Sequence, residues 1–421
     1  MRVDPWKVYD PSNIEQGNQI AQCVLNFIND PLTLKGTKSQ STFENALPKT
    51  NEYTVLSGIV ALQGKTVEKT LKKRKTNTMP QTYLLTLTTG LKVLPAEKIH
   101  TQSRGRLLHD MHAEILSIRL FNLILLEDIK RINDCSDNDR CGKILRQNRN
   151  GLFQLRDSTI KLAMFVTEAP CGDASLENIS SRSSSNVDWK DEKCGLEPIR
   201  GRSFFNRKGL VRTKPGRRDS QKSLSKSCSD KLCMKQFTSL LNSTTFSFID
   251  PAYRYQFYLE YIVIPEESIS PVDVQRCFSD RLNLDKSETN IQDYFHAFKI
   301  LPTELPDFPY QFKLNNSLNA CATSLVYSPV YPNMLEVINK GVLNGRSSKK
   351  HINKEASSQL CREALFERVA ELNSNCFENI KTYSNFKGSI KELRKIKEGA
   401  KKIFKNWGES TIDDFTIRGE S

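Results

Sequence analysis

No apolar run in this 421-residue chain approaches the ~18 residues that a membrane-crossing helix needs. The N-terminal MRVDPWKVYD also lacks the apolar stretch of a secretory signal, so an intracellular protein of nucleus or cytoplasm is expected. The eleven cysteines are odd in number and irregularly spaced, which speaks against a disulfide framework. Reduced thiols of that kind are free to bind a metal as thiolates. Internal repeats are absent, which argues against a repeat array. Histidine is scarce: of only five, two fall in HDMHAEIL, as His109 and His112.

What the chain has in excess is positive charge. Lys and Arg number 62 against 48 Asp and Glu, giving a formal net charge of +14 and a pI near 9.2. With 38% hydrophobic and 26% charged residues, the composition is that of a soluble globular protein rather than a disordered one. The basic residues cluster in LKKRKTNT (71–78), in IRGRSFFNRKGLVRTKPGRRDSQKSLSK (199–226) and in the last helical segment. Any single run is ordinarily a solvated face. Three of them together with the net charge point to a polyanionic partner, nucleic acid foremost.

Ile20, Val24, Phe27 and Ile28 share one face of a predicted helix. YTVLSGIVAL (53–62) and QTYLLTLTTGLKVLP (81–95) read as strands joined by the first basic loop. After HDMHAE, the stretch ILSIRLFNLILLEDIKRI is too long for a strand and has helical spacing. KLAMFVTEAP reads as a strand ending at Pro170, and RYQFYLEYIVIPEE as another ended by Pro265. The serine-rich SLENISSRSSSNVDWKDE marks a surface insertion at about 175–200, and from about 355 to the end the pattern is helical. This order of elements predicts an α/β fold, a sheet with helices packed on it.

Water becomes nucleophilic near neutral pH on a zinc ion that lowers its pKa from ~15.7 to about 7, with three protein ligands and one open position. Proton transfer then needs a carboxylate that is not itself a ligand. His112 offers an imidazole and Glu114 a carboxylate at one helix start. Cys171, in EAPCGDAS, offers a thiolate at a strand-to-helix turn. The compact P-C-x-x-C form of a zinc deaminase site fails, because Ala174 stands three residues after Cys171. The second cysteine must come from far along the chain, and Cys228 in KSCSDKLCMK, opening another predicted helix, is the nearest suitable one. Taken singly, each string has a plain structural reading: a helix-start histidine, a proline turn, a Ser/Asp cap. Their conjunction in this order, each at an element boundary, favours the metal site. H-x-E does not report the base, so cytidine chemistry stays open at this level.

With RTKPGR upstream of the last of them, HAE, PCGDAS and SCSDK resemble the adenosine deaminases that act on RNA. The match is strongest to the eukaryotic tRNA branch of that family, which makes inosine 3′ of the anticodon of alanine tRNA. The resemblance extends over nearly the whole chain, from YTVLSGIVAL to the C-terminal helices. It implies a cytidine-deaminase-like mixed sheet flanked by helices, with one domain over 1–421, a zinc core over about 50–265 and a C-terminal helical part over about 320–415 enclosing an inositol phosphate. It implies His112, Cys171 and Cys228 as zinc ligands, and Glu114 as the group that moves protons between water, ring N1 and the leaving amine. The reaction implied is hydrolytic deamination of adenosine to inosine by a zinc-activated water attacking C6, on a base unstacked from a tRNA loop.

In TYSNFKGSIKELRKIKEGAKKIFKNWGE, Tyr383, Phe386, Ile390, Leu393, Lys397, Ala400, Phe404 and Trp407 fall on one helical stripe, which puts an ammonium on an apolar face. Snorkelling and a buried polyanion shared by several cations both account for that placement. The resemblance favours the polyanion, inositol hexakisphosphate. It implies Arg119, Lys231, Ser243, Arg362, Tyr383, Lys387, Lys397, Trp407 and Glu409 as ligands, with Asp110, Lys214 and Lys231 as a polar relay to the zinc. His109, Ile118, Met234, Arg362, Leu393 and Ser410 depart from residues common in relatives, and Leu91 stands where duplex-RNA editors usually carry Thr. Arg74, Lys92, Arg212, Arg217 and Arg218, in basic loops near the inferred site, are the expected RNA contacts. tRNA is the expected partner, with no membrane and no obligate protein partner. Two rivals remain. One is an editor of double-stranded RNA, for whose extra binding domains the ~50 residues before the first strand are too few. The other is a non-catalytic RNA-binding paralogue, against which stand all four catalytic residue types.

Overall fold

The segments predicted as strands at 53–62 and 81–95 hold β1 (Leu56–Gln63) and, ending short at Thr89, β2 (Gln81–Thr89), the middle of an eight-stranded sheet. The computed structural model describes residues 6–31, 34–64, 80–135, 142–177, 198–201, 203–214, 219–284, 290–305, 308–312, 318–331, 333–348, 352–373, 380–404 and 406–417. Beyond β2, a separate antiparallel ribbon pairs β3 (Leu91–Val93) with β4 (Asp110–His112). The sheet continues with β5 (Ile160–Val166), β6 (Leu259–Pro265), β7 (Lys299–Thr303), β8 (Thr323–Tyr327), β9 (Leu335–Asn339) and β10 (Val342–Leu343). Its order is β7-β6-β5-β1-β2-β8-β9-β10. β5, β6 and β7 run parallel and every other neighbouring pair is antiparallel, so the sheet is mixed as expected.

Both faces of this sheet are covered, which is why its central strands are rich in apolar and β-branched residues on both faces. Alternate residues separate into two cores. Val60, Leu62, Ala163 and Phe165 pack with Ile20, Ala21 and Val24 of α1 (Ile14–Asn29). α1 lies so close to β7 that a Cβ on Gly17 would fall 2.0 Å from the carbonyl oxygen of Pro302. Ile59, Ala61, Leu162 and Met164 face the other way, toward Leu116, Leu120, Phe121 and Ile124 of the long helix that follows HDMH. The remaining helices, in chain order, are α2 (Lys38–Ala46), α3 (Ala96–Gln102), α4 (Ala113–Asp134, that long helix), α5 (Cys228–Thr238), α6 (Pro271–Gln275), α7 (Arg362–Leu372), α8 (Tyr383–Ser389) and α9 (Lys391–Ile403). No helix among the described residues is long and apolar enough to cross a membrane.

Four expectations are corrected. Arg254–Phe257 are not strand but the end of a 3₁₀ helix, Pro251–Phe257, started by Pro251 and by the Asp250 carboxylate accepting from the Ala252 amide. The strand expected to reach Pro170 ends at Val166, and Thr167–Pro170 form the loop that delivers Cys171. The part over about 320–415 is not wholly helical: it opens with β8–β10, which complete the sheet, and it closes with an extended tail bridged by Thr382 and Thr416. The stripe from Tyr383 to Trp407 is divided, because Ile390 leaves the helical region (φ −80, ψ 69) and both Phe404 and Trp407 lie past α9. Gly388 and Ser389, poor helix formers, precede that break. The first basic loop, and the serine-rich insertion from 178 to 197, lie outside the described residues.

Candidate metal centre and anion cavity

Three chain crossings build the site. At the first, Gly90 turns the chain from β2 into β3 with φ +152, where a Cβ would meet the Met111 carbonyl oxygen at 2.0 Å. The Ala113 amide donates to the Gly90 oxygen (3.1 Å), so the ribbon is pinned beside the sheet and His112 becomes the residue that opens α4. Glu114 follows in the first turn of that helix, 3% exposed. Leu91 lies directly across the ribbon from His112, whereas Lys92 pairs with Met111 and leaves from the opposite face.

At the second crossing, Cys171 precedes Gly172, whose φ of +110 and closeness to Ser227 (2.2 Å from a built Cβ to Oγ) leave no room for a side chain. At the third, Cys228 starts α5 behind Ser227, whose hydroxyl caps the helix by accepting from the Asp230 amide (3.1 Å). The two loops are stitched by the Ser229 amide to the Cys171 oxygen (3.0 Å) and the Ser229 hydroxyl to the Pro170 oxygen (2.8 Å). His112 Nδ1 then lies 3.8 Å from Cys171 Sγ and 3.5 Å from Cys228 Sγ, and the three donor atoms are all within 4.8 Å of one another. A tetrahedral zinc ion bonded at ~2.0–2.3 Å separates neighbouring donors by about 3.3–3.8 Å, so one imidazole and two thiols in this arrangement fit it.

The trio sits among buried charges, with Asp110, Glu114 and Lys214 each no more than 5% exposed. Burial pushes the Glu114 carboxyl above its ordinary range, and its Oε2 has no hydrogen-bond partner. A hydrogen bond with Cys228, helped by the Lys214 ammonium, draws the Cys171 thiol well down, while burial beside Cys171 pushes Cys228 up. Lys214 Nζ donates to both carboxylate oxygens of Asp110 (2.9 and 2.8 Å) and to Cys228 Sγ (3.1 Å). Burial alone would raise Asp110, but Lys214 and then Lys231 hold its carboxylate well below the usual range. Lys231 also bonds Asp110 and Ser225 Oγ. The three residues expected as a relay are therefore in one contact network that ends on a thiol.

Arg119, Lys231, Arg362 and Trp407 line one cavity of about 200 Å³ behind that network, together with Lys226 and His109. Arg119 makes no ion pair or hydrogen bond among the described residues, and burial with Arg362 nearby depresses its guanidinium. Lys397 is half-buried and depressed to about 8, by burial and then by Lys387 and Lys401, while burial takes its neighbour Lys235 to about 7. Lys387 lies 4.9 Å over the ring of Tyr383, which packs among Phe366, Phe386 and Phe415. Ser243 is buried in the turn held by Asn122, one helical turn along α4 from Arg119, and does not line the cavity. Glu409 is exposed, and its carbonyl oxygen accepts from Lys226.

Arg212 is corrected outright. It is 1% exposed, and its guanidinium donates to the carbonyl oxygens of Gly201, Ser203, Phe204 and Arg207 at 2.7–3.1 Å. It gathers these four carbonyls from inside, and its one unpartnered donor, Nε, is buried away from any phosphate at the surface. Lys92 is half-exposed, and Arg74, Arg217 and Arg218 lie outside the described residues.

Asp413 is a site residue that no sequence pattern signals. From the C-terminal tail its carboxylate accepts from Ser103 Oγ (2.9 Å), the Gly105 amide (2.8 Å) and His109 Nε2 (2.6 Å), and it pairs with Arg362 (3.3 Å). Burial, reinforced by Arg362, depresses His109 to about 4 against the pull of Asp413. The unfolded ring, near 6.5, binds its proton first as pH falls, so this stability is complete above pH ~6.5 and is lost toward pH ~4. From pH 7 to 5 the loss from this ring is about 2 kcal/mol. His109→Asn is expected to flatten the unfolding free energy over that window; equal pH slopes in the two proteins would refute it.

Residues 86–410 match the adenosine-deaminase (editase) domain family. The chain is 32% identical over 405 residues to tRNA-specific adenosine deaminase 1 of Schizosaccharomyces pombe, covering 94% of this chain and 95% of that protein. To tRNA-specific adenosine deaminase 1 of Saccharomyces cerevisiae it is 29% identical over 391 residues, 86% of each. Double-stranded RNA-specific editase B2 of Rattus norvegicus is 26% identical over 187 residues, 41% of this chain and 24% of that protein.

Proposed function

Because the chain belongs to the adenosine-deaminase (editase) domain family, we propose that it hydrolyses adenosine to inosine in tRNA, next to the anticodon of alanine tRNA. The observation that carries this reading is the buried Glu114 carboxylate, with one unpartnered oxygen, beside His112, Cys171 and Cys228. Those three residues would hold zinc, which when bound supplies a water acidic enough to attack C6 near neutral pH. Glu114 takes the proton of that water, passes it to ring N1, and returns one to the departing amine. Its raised pKa suits both roles, because a carboxyl nearer neutrality both accepts and releases a proton readily. Leu91, across from His112, presents an apolar surface where the base enters, and exclusion of water there strengthens each polar contact in the site. Similarity over most of the chain to two tRNA deaminases, against a partial match to a duplex editase, supports tRNA over double-stranded RNA.

The same reading places inositol hexakisphosphate against Arg119, Lys231, Arg362 and Trp407, with Lys387 and Lys397 beyond them. Burial and neighbouring cations depress both Arg119 and Lys397, an arrangement that fits a polyanion. Lys397→Met is expected to lower the thermal midpoint and to abolish co-purification of inositol phosphate. An unchanged midpoint, with no inositol phosphate in the unsubstituted protein, would overturn this part.

Incubation with alanine tRNA and with a long RNA duplex tests the whole. Inosine is expected in the anticodon loop of the tRNA and not in the duplex; none in either RNA, from protein carrying zinc, would overturn the proposal.

A further inference from the structure

We propose that a basic ridge built by α3 and the β9–β10 turn grips the phosphate backbone of the RNA a few nucleotides away from the reacting base. The ridge deepens the tRNA reading and rests on it for the identity of the RNA.

β9 and β10 are joined by only two residues. Asn339 pairs with Val342, leaving Lys340 and Gly341 as the loop, with φ of +51 and +88. Two positive φ values in succession make a type I′ turn, whose first position is ordinarily Asn, Asp or Gly because a larger side chain is crowded there. A lysine held in that conformation puts an exposed ammonium at the tip of the hairpin. The pattern occurs again just past α3, where exposed Arg104 (φ +42) precedes Gly105 (φ +81).

Between the two turns lies Lys98 of α3, its Nζ 3.3 Å from the Lys340 carbonyl oxygen. Lys222, whose carbonyl accepts from the Ala96 amide (3.0 Å), adds an exposed ammonium at the start of the same helix. None of Lys98, Arg104, Lys222 and Lys340 has an ion pair among the described residues, and Glu97 is the acidic residue of α3. Burial, with Lys340 beside it, depresses the Lys98 ammonium. A lone basic run is usually a solvated face. Here like charges are drawn together by a strained turn and partial burial, which disfavours the free protein and favours it with phosphates bound.

The ridge is also in the right place. The Leu108 amide donates to the Gly341 oxygen (3.0 Å) and the Leu94 amide to the His109 oxygen (2.8 Å), so turn and helix both rest on the Val93–Asp110 end of the ribbon whose other end carries His112. Leu108 and His112 are four residues apart, at most ~14 Å of extended chain. The target base enters the metal centre while its neighbouring phosphates pass over the ridge.

The test uses the full chain with Lys98→Gln and Lys340→Asn together, Asn being a residue that suits the left-handed turn. tRNA affinity is measured from low to high NaCl, with inosine formation and zinc content read on the same samples. The double variant is expected to bind tRNA about tenfold or more weakly near 0.1 M salt, with a log–log salt slope shallower by about 1.4–1.8, two phosphates' worth. Turnover at saturating tRNA and zinc content should not change. Unaltered affinity and slope, from a protein that makes inosine, would overturn the ridge and leave the deaminase reading standing. Weakened affinity with no inosine from the unsubstituted protein would leave the ridge standing and overturn the deaminase reading. Unaltered affinity with no inosine would overturn both.

Discussion

Glu114→Gln is expected to lower the rate of inosine formation by about 100- to 10,000-fold, while the protein keeps its fold and its zinc. The amide matches the carboxyl in shape but neither accepts nor returns the proton. The fold should tolerate it well. Glu114 is 3% exposed and its Oε2 is unpartnered, so the native carboxylate is a charge held in a site that burial makes unfavourable. The sign is fixed by that direction. A carboxyl whose pKa is raised by folding contributes stability below its unfolded pKa, and that contribution disappears as pH rises through the folded value. Without metal, the Gln variant should therefore melt at or above the unsubstituted protein at pH 7–8. Single-turnover inosine formation, metal content and thermal midpoint together check this. Activity within threefold of the unsubstituted protein would remove Glu114 from the chemistry, and a lower midpoint would make its role structural.

Much of this site was legible because its residues sit where local rules act. His112 opens α4, Cys228 opens α5 behind a serine cap, and Cys171 follows a strand, so three short strings carried both chemistry and element boundaries. The central strands were equally plain, since β1 and β2 are rich in Val, Leu, Ile and Thr and feed both cores. What was illegible depends on contacts distant in sequence or on burial of charge. Asp413 reaches His109 across 304 positions, and nothing near either residue signals the other. Arg212 lies in a basic run and looked like a phosphate contact, because a charge run does not report that four carbonyl oxygens surround one of its members. The stripe from Tyr383 to Trp407 kept helical spacing although the chain breaks at Ile390, since both helices present their apolar residues to the same core.

Lys214→Met is expected to destabilise the fold by about 3–5 kcal/mol and to weaken zinc binding with it. With metal in place, four negative groups, Asp110, Glu114 and the two thiolates, are balanced by the divalent ion and the ammoniums of Lys214 and Lys231. Lys214 is 3% exposed and bonds both oxygens of Asp110 as well as Cys228 Sγ, so its loss leaves one buried negative charge uncompensated. Methionine fills the aliphatic volume, which confines the change to charge and hydrogen bonding. Asp110→Asn in the same background removes a negative charge from the cluster, so the double variant should be more stable than Lys214→Met alone. A strongly non-additive cycle of that sign is the signature of charge balance across the pair. If the two substitutions instead add, Lys214 serves the fold through its packing alone, and the path from Asp110 to the Cys228 thiolate carries no electrostatic information to the metal.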